Sequence, residues 1–206
     1  MRIRSERKMA AVEELLNELN SEGKDVLLLI REMSGFVSYY RRLLEKFELD
    51  SLTGLPGSNK YREFRANLEA RPAKSVGVIV FDVNDLKYYN DNKGHHSGDL
   101  LLQKAAESFH SIAGKNVSVF RTGGDEFVAV AAGCAEADLS GIVASWQEKL
   151  AELNAAADGI ACTVAHGVAF GSGEYRFGDI LELADERMYA EKRRMKESGV
   201  KLGEVR

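Results

Sequence analysis

The stretch from Val117 to Val130, VSVFRTGGDEFVAV, predicts a β-hairpin around which the rest of the fold is organised. Two short runs of β-branched and aromatic residues flank a Thr-Gly-Gly-Asp-Glu turn, a pattern typical of two antiparallel strands. We expect Gly123 and Gly124 to supply positive φ at the tip and to let a ligand's phosphates approach the backbone. Asp125 and Glu126 follow the turn, and adjacent like charges destabilise a hairpin. The sequence therefore predicts a cation at the tip.

The composition is that of an ordinary globular protein, with 206 residues, 45% hydrophobic and 29% charged, which is room for one domain and an appendage. A formal net charge of −4 argues against nucleic acid as a partner. Because no apolar run reaches the roughly 18–20 residues that span a bilayer, we expect no membrane insertion. There is no apolar signal-peptide core, and Cys134 and Cys162 are sparse. These features predict reduced thiols in a cytoplasmic protein.

Residues 1–48 are predicted to form a helical stalk in two parts, with a break at residues 20–23 and a second helix from about Lys24 to Phe47. In the second helix, apolar residues repeat every seven positions at Val26, Met33, Tyr40 and Phe47. A sustained heptad favours a coiled coil that dimerises the chain. The alternative is a helical hairpin that folds on itself or on the main domain, since globular helices also bury a broad apolar stripe.

Residues 49–206 are predicted to form one α+β domain. The periodicity of apolar residues predicts helices over about 58–69, 100–113, 136–153 and 177–198, strands over 76–83 and 161–171, and a short helix followed by a loop in 84–99. A hairpin among strands that are separated by helices predicts a central, largely antiparallel sheet flanked by helices. Trp146 is expected to serve packing, either in the core or at the surface, and not to be a ligand platform.

Several polar residues at element ends have two possible roles. Asp82 closes an apolar strand, where a carboxylate either caps the next turn or serves a site, since an unpaired buried charge is costly. Ser97 is expected to N-cap the helix that follows, which would put Asp99 in the first turn, where the helix dipole favours a carboxylate. We expect His95 to fix the preceding loop by hydrogen bonding and His96 to be exposed.

The last helix carries two lysines in line with its apolar stripe. The predicted inner stripe comprises Ile180, Ala184 and Met188, joined by Leu181, Leu183 and Tyr189. Lys192 and Lys196 continue the stripe at four-residue steps, either as solvated cations or as ligands of an anion.

The candidate residues together suit nucleotide chemistry. Carboxylates without histidine or cysteine favour Mg²⁺ or Mn²⁺, ions that also bind substrate phosphates. Acids for a metal and lysines for phosphate are typical of phosphoryl or nucleotidyl transfer. The sequence contains no G-x-x-x-x-G-K-[ST], so it is not a P-loop enzyme.

Four motifs resemble those of the GGDEF family, the diguanylate cyclases. They are GGDEF at 123–127, DSLTGLP at 50–56, FDVNDLK at 81–87 with Asn90-Asp and Gly94-His-x-x-Gly-Asp99, and ADERMYAEK at 184–192. They follow the family's order over residues 50 to about 198, and the stalk lies outside them. The resemblance implies a ferredoxin-like fold similar to the palm of nucleotidyl cyclases and polymerases. It also implies a homodimer that condenses two GTP into cyclic di-GMP with release of pyrophosphate.

The resemblance also implies roles for single residues. Asp82, Asp125 and the Val83 carbonyl would hold metal, with two ions per site, and Glu126 would bind a second ion or deprotonate the attacking 3′-hydroxyl. Contacts to the triphosphate would come from the amides of Asp85 and Leu86, from Lys87, Lys192 and Lys196, and from the tip at Gly123 and Gly124. Asn90 and Asp99 would hydrogen-bond guanine. A carboxylate accepts from two guanine donors that adenine lacks, so Asp99 favours GTP over ATP.

This chain departs from the family pattern in three places. Gly114 and Val117 stand where many members have the charged ends of an R-x-x-D inhibitory site, which predicts no product inhibition through it. Lys196 replaces a usual arginine and lacks its bidentate fork, which predicts weaker triphosphate binding. Gly57-Ser58 replaces a usual Asn-Arg. The main alternative function is a catalytically silent GGDEF domain that binds GTP or cyclic di-GMP as a regulatory module.

Overall fold

A computed structural model describes residue 14 and residues 32–39, 48–156 and 159–198. The chain divides into two compact units, Met1–Phe47 and Glu48–Arg206. In the first unit residues 32–39 are helical, with exposed apolar side chains that include Met33 and Phe36. Most of the predicted stalk, including its helix break and most of its heptad positions, lies outside the described residues, so the stalk and its dimerisation stay predictions. Among the described residues, no helix is long and apolar enough to cross a membrane.

The second unit has the element order that the sequence predicts. Its helices are α1 (Ser58–Ala70), α2 (Leu86–Lys93), α3 (His95–His110), α4 (Glu136–Asn154) and α5 (Phe177–Glu197), and its strands are β1 (Ser75–Val83), β2 (Val117–Arg121), β3 (Glu126–Ala132) and β4 (Val164–Ser172). The strands form one four-stranded antiparallel sheet in the order β2-β3-β1-β4. The predicted α+β fold is therefore confirmed.

Strand β1 is central because it is apolar on both sides. From Val76 to Val83 every residue is buried, and β3 and β4 pair with its two edges. One face packs against α3 and α4, where Phe81, Phe109 and Trp146 make close aromatic contacts. The other face packs against α1 and α5. Trp146 is 1% exposed, so of the two predicted kinds of packing, core and surface, it has the core one.

Helix α5 approaches β4 unusually closely at Gly167. A Cβ on this glycine would lie 2.0 Å from the Ala184 carbonyl oxygen and 2.2 Å from the Met188 amide nitrogen. Both are backbone atoms of α5, so they cannot move aside as a flexible side chain would. Gly167 therefore lets the helix lie directly on the sheet.

The predicted backbone of the hairpin tip is wrong in one respect. Neither Gly123 nor Gly124 is among the positive-φ residues of the described chain. A four-residue loop, Thr122–Asp125, joins the strands, and the amides of Thr122 and Gly123 both donate to the Glu126 carbonyl, at 3.0 and 3.3 Å. Because this loop is longer than a two-residue turn, it reverses the chain without left-handed residues.

The predicted start of α3 is also wrong, because the helix begins at His95 and not near residue 100. Gly94, with φ of 83°, ends α2 and caps α3, so there is no intervening loop. The Ser97 hydroxyl donates to the Lys93 carbonyl at 2.9 Å and does not cap the helix. Asp99 consequently lies beyond the first turn, and exposed His95 belongs to the helix instead of fixing a loop. His96 is exposed, as predicted.

One further boundary and two side-chain exposures differ from the prediction. Strand β4 begins at Val164 and not at Ala161, because the backbone of Cys162 pairs with the Asn154 side chain, at 2.9 and 2.7 Å, in place of a strand. On α5, Leu183 and Tyr189 are 37% and 61% exposed and do not join the buried stripe.

Cys134 and Cys162 are free thiols.

The close approach at Gly167 predicts a large loss of stability in Gly167→Ala. Forcing a methyl against the α5 backbone should lower the free energy of unfolding by about 2 kcal/mol or more, measured by urea denaturation. The matched control is Gly141→Ala, at an exposed position of α4, where no atom lies within 4 Å of an added Cβ. That change should stabilise the protein by up to about 1 kcal/mol. Equal urea midpoints for Gly167→Ala and wild type would contradict the packing.

Candidate active site

The predicted acidic residues meet at one end of the sheet, where β1 ends beside the hairpin tip. Asp82 pairs in register with Glu126, the first residue of β3. One position further on, the Val83 amide donates to the Asp125 carbonyl at 2.9 Å. Because the antiparallel ladder fixes this register, the strand end and the hairpin tip are held side by side.

Asp82 and Lys192 form an ion pair that the sequence analysis did not anticipate. The Lys192 ammonium lies 2.6 Å from both carboxylate oxygens, but only the contact to Oδ2 has hydrogen-bond geometry. Oδ1 is buried without a hydrogen bond, and Asp82 as a whole is 6% exposed. Burial raises the pKa of Asp82 above its usual value, and the hydrogen bond and charge of Lys192 oppose the rise without cancelling it.

Glu126 lies in a concentration of negative charge. Burial raises the pKa of Glu126, and the nearby carboxylates of Asp125, Asp82 and Asp185 raise it further. Its Oε2 packs over Gly123, where an added Cβ would lie 2.9 Å away. The sequence analysis assigned no role to Asp185, although it precedes Lys192 by seven residues, a spacing of two helical turns that puts both on one face of α5.

The donor chemistry of this site fits a divalent cation. Carboxylate and carbonyl oxygens are the ligands that Mg²⁺ prefers, and the unsatisfied Oδ1 of Asp82 is a buried acceptor of that kind. In the described part of the chain, however, no three histidine, cysteine or acidic side chains converge closely enough to hold a metal as they stand. Lys192 supplies the positive charge at Asp82 instead. The predicted ligands, Asp82, Val83, Asp125 and Glu126, stay a prediction that requires Lys192 to move away.

The predicted phosphate-binding residues lie on two elements next to the acids. Asp85, with φ of 62°, precedes the first turn of α2, whose initial amides at Leu86 and Lys87 have no partner within the helix. Such amides favour an anion. On α5, Lys196 is exposed. Burial is the largest cause of the raised pKa of Asp82, and the nearby charge of Lys196 opposes that rise.

The predicted guanine-binding residues lie where α2 meets α3. The Asn90 side chain rests on Gly98, and a Cβ there would lie 2.1 Å from Asn90 Oδ1. The next residue, Asp99, is exposed. The turn at Gly94 thus brings an amide and a carboxylate from two helices to one surface.

Arg121 is a residue that the sequence analysis missed. Its guanidinium donates to the carbonyls of both tip glycines, Gly123 at 3.2 Å and Gly124 at 2.7 Å, and to Asp50 Oδ1 at 2.8 Å. Burial raises the pKa of Asp50, but hydrogen bonds from Thr53 and Arg121 outweigh it and leave that pKa below its usual value. Arg121 therefore positions the hairpin tip. The available signal was an arginine two residues before the glycines.

Comparison with known proteins identifies relatives of the whole second unit. A family model described as diguanylate cyclase, GGDEF domain, matches residues 47–198. The diguanylate cyclase DosC of Escherichia coli K12 is 29% identical over 193 residues, which are 87% of this chain and 41% of that protein. Diguanylate cyclase DgcS of Shewanella oneidensis is 29% identical over 158 residues, 74% of this chain and 52% of DgcS. The chain thus spans about half or less of these relatives.

Solved structures show the same fold. Diguanylate cyclase SiaD of Pseudomonas aeruginosa, solved with its activator SiaC, has a TM-score of 0.68 and 22% identity, covering 93% of this chain and 76% of that one. The coiled coil and GGDEF domain of DgcB from Caulobacter crescentus, solved with c-di-GMP, has a TM-score of 0.68 and 20% identity, covering 89% and 95%. At these identities the likeness establishes the fold.

The raised pKa of Asp82 predicts how stability depends on pH. A carboxyl whose pKa is higher in the folded state than its ordinary 3.8 stabilises the fold most when protonated, and this contribution is lost as pH rises through the folded pKa. Asp82→Asn stays neutral, so it should gain stability relative to wild type as pH rises above about 4.

The measurement is urea unfolding of both proteins in EDTA, from pH 3.5 to 7. Glu107→Gln, which changes an exposed acid on α3, is the control and should track wild type across this range. If Asp82→Asn instead loses stability relative to wild type as pH rises, the pKa of Asp82 is lowered on folding and not raised.

Proposed function

The chain belongs to the GGDEF-domain diguanylate cyclase family, and on that basis we propose that it condenses two GTP into cyclic di-GMP and two pyrophosphates. The observation that carries this proposal is the meeting of complementary groups at one sheet end. Acids from β1 and the hairpin lie beside Lys192 of α5, and the first turn of α2 follows directly from β1. The predicted cytoplasmic location is part of the proposal, since GTP is the substrate.

The proposed reaction is nucleotidyl transfer. The 3′-oxygen of one GTP forms a bond to the α-phosphorus of the other, and the bond from that phosphorus to the oxygen bridging to the β-phosphate breaks. Pyrophosphate leaves, the hydroxyl proton passes to a base, and a second identical attack closes the ring. Glu126 suits the base, because its raised pKa brings it closer to neutral pH. Mg²⁺ held by Asp82, Asp125 and the Val83 carbonyl would supply positive charge to the transferring phosphate.

Lys192 has two roles in this proposal. Without nucleotide it neutralises Asp82, from which its ammonium lies 2.6 Å away. With Mg²⁺ held at Asp82, Lys192 would instead contact the triphosphate, together with Lys196, Lys87 and the amides of Asp85 and Leu86. Lysine is a point charge without the bidentate fork of arginine, so Lys196 holds phosphate less firmly than the usual residue.

Asn90 and Asp99 select the base in this proposal. They lie together at the α2–α3 junction and Asp99 is exposed, so both can meet the edge of a purine. Guanine offers two donors to the carboxylate, whereas adenine would leave the charge unpaired in the complex.

The reaction needs a second copy of the chain, because each site presents one GTP. The helical segment before residue 49 would raise the effective concentration of the partner domain if it dimerises. Residues 32–39 are helical and expose apolar side chains, which supports a stalk of this kind.

A silent regulatory domain is the second candidate, and one observation favours it. Lys192 already forms an ion pair with Asp82, and among the described residues no ready-made metal cluster is present. If Lys192 did not release Asp82, the domain would bind nucleotide through α2 and the base-reading residues without turnover.

Incubation with GTP and Mg²⁺, followed by chromatography and mass spectrometry, should give cyclic di-GMP, and ATP should give no product. Asp125→Asn and Glu126→Gln should each lower the rate by about 100-fold or more, since they remove charge at the reacting centre. The exposed-site variant Glu107→Gln should match wild type.

The rate should not fall as product accumulates, because Gly114 and Val117 cannot form the inhibitory site. Bound GTP without product at high protein concentration would favour the silent domain.

Removal of the stalk tests the need for a second copy. A chain of residues 49–206 should have low specific activity at nanomolar concentration and recover it at high concentration, because pairing becomes bimolecular. Specific activity is measured over a dilution series beside the full chain. Full activity of the short chain at every dilution would count against a dimerising stalk.

A further inference from the structure

The proposed function leaves one paired contact without a role, and it lies beside Lys192. His166 is on β4, whose outer edge has no neighbouring strand in the described sheet. Glu191, the residue before Lys192, accepts a hydrogen bond from the His166 backbone amide, and its Oε2 lies 2.8 Å from His166 Nδ1. One carboxylate thus binds both the main chain and the ring of the same residue.

The histidine is itself fixed to the core. The Trp146 indole meets the His166 ring edge-on at 5.1 Å between centroids. Trp146 is 1% exposed and donates to the Ser108 hydroxyl at 3.1 Å. His166 therefore offers Glu191 an anchor that packs against a core indole of α4, which is in turn hydrogen-bonded to α3.

The C-terminal half of α5 has few other directional contacts near Lys192. One turn beyond Glu191, Met195 Sδ lies 3.7 Å from the Asn84 amide nitrogen. Methionine contacts are adaptable and tolerate a shift of the helix. A carboxylate that accepts two hydrogen bonds is directional and resists such a shift.

We propose that His166 and Glu191 are a positioning pair that fixes α5 so that Lys192 reaches the carboxylate site and, during the reaction, the triphosphate. The role toward the triphosphate rests on the proposed function, whereas the role toward Asp82 does not. The sequence analysis placed His166 in a strand and Glu191 in a helix without assigning either a function.

The chain supplies a matched control on the same helix. Arg187, one turn before Glu191, donates to the Val168 carbonyl at 2.5 Å and so covers the next outward-facing position of the same strand edge. If α5 only protects this edge, loss of either residue should have the same consequences. If Glu191 positions Lys192, only its loss should alter Lys192.

The first measurement uses the full chain without nucleotide. Lysines are acylated with an N-hydroxysuccinimide ester, and the labelling rate of Lys192 is followed by mass spectrometry. Glu191→Ala should raise that rate by about threefold or more, because Lys192 spends less time paired with Asp82. Glu191→Gln keeps one acceptor and should give a smaller rise. Arg187→Ala should leave the rate unchanged, even if both alanine variants lower the melting temperature equally.

The second measurement is the affinity for a GTP analogue with a methylene group between the α- and β-phosphates, in Mg²⁺. Glu191→Ala should weaken binding by about fivefold in the wild-type background and by less than twofold in a Lys192→Ala background. Arg187→Ala should not weaken it. A coupling of this kind distinguishes positioning from general destabilisation.

Two results would overturn the positioning pair. One is a Lys192 labelling rate in Glu191→Ala equal to that of wild type. The other is an equal loss of analogue affinity in the wild-type and Lys192→Ala backgrounds. Absence of cyclic di-GMP synthesis by wild type, with the labelling response intact, would instead refute the proposed activity and leave the pair standing.

Discussion

The candidate site is organised around one buried carboxylate at the end of the central strand. Asp82 is 6% exposed, and a charge there needs a cationic partner to offset its lost hydration. Lys192 provides it, at 2.6 Å, from an element 110 residues further along the chain. The contact joins the first strand of the domain to its last helix, and it places a lysine beside a carboxylate at the site where we propose nucleotide chemistry.

The remaining architecture keeps this contact in register. The ladder between β1 and β3 sets Glu126 opposite Asp82, and a slip of one residue would turn Asp82 to the other face. Arg121 holds the hairpin tip by its glycine carbonyls. Gly167 lets α5 lie on β4, and Glu191 ties the same helix to the strand edge. Loss of any of these contacts would displace Asp82 or the residues next to it.

The sequence predicts those features that follow from local residue patterns. The apolar run of β1, the hairpin around Gly123 and the helical stripe through Ala184 and Met188 follow from residue periodicity, and together they give the element order and the α+β fold. These features need only the chain's own spacing. The grouping of the acids and lysines in one site was instead what the resemblance to the GGDEF family implied.

The features that were missed depend on contacts between distant segments. The Asp82–Lys192 pair, the Arg121 bridge to Asp50 and the His166–Glu191 pair each join residues that no local pattern relates. The start of α3 was missed because Gly94 both ends one helix and begins another. The φ angles of Gly123 and Gly124 follow from the loop length, which the strand pattern alone did not fix.

The proposed function requires Asp82 to release Lys192 so that a divalent cation can bind there with the nucleotide. A crystal structure with Mn²⁺ and the methylene analogue of GTP, with the ion located by anomalous scattering, tests it most directly. If so, Mn²⁺ should lie on carboxylate oxygens of Asp82 and Asp125, with the Lys192 ammonium on a phosphate oxygen. An ion bound elsewhere, with Lys192 still paired to Asp82, would contradict it.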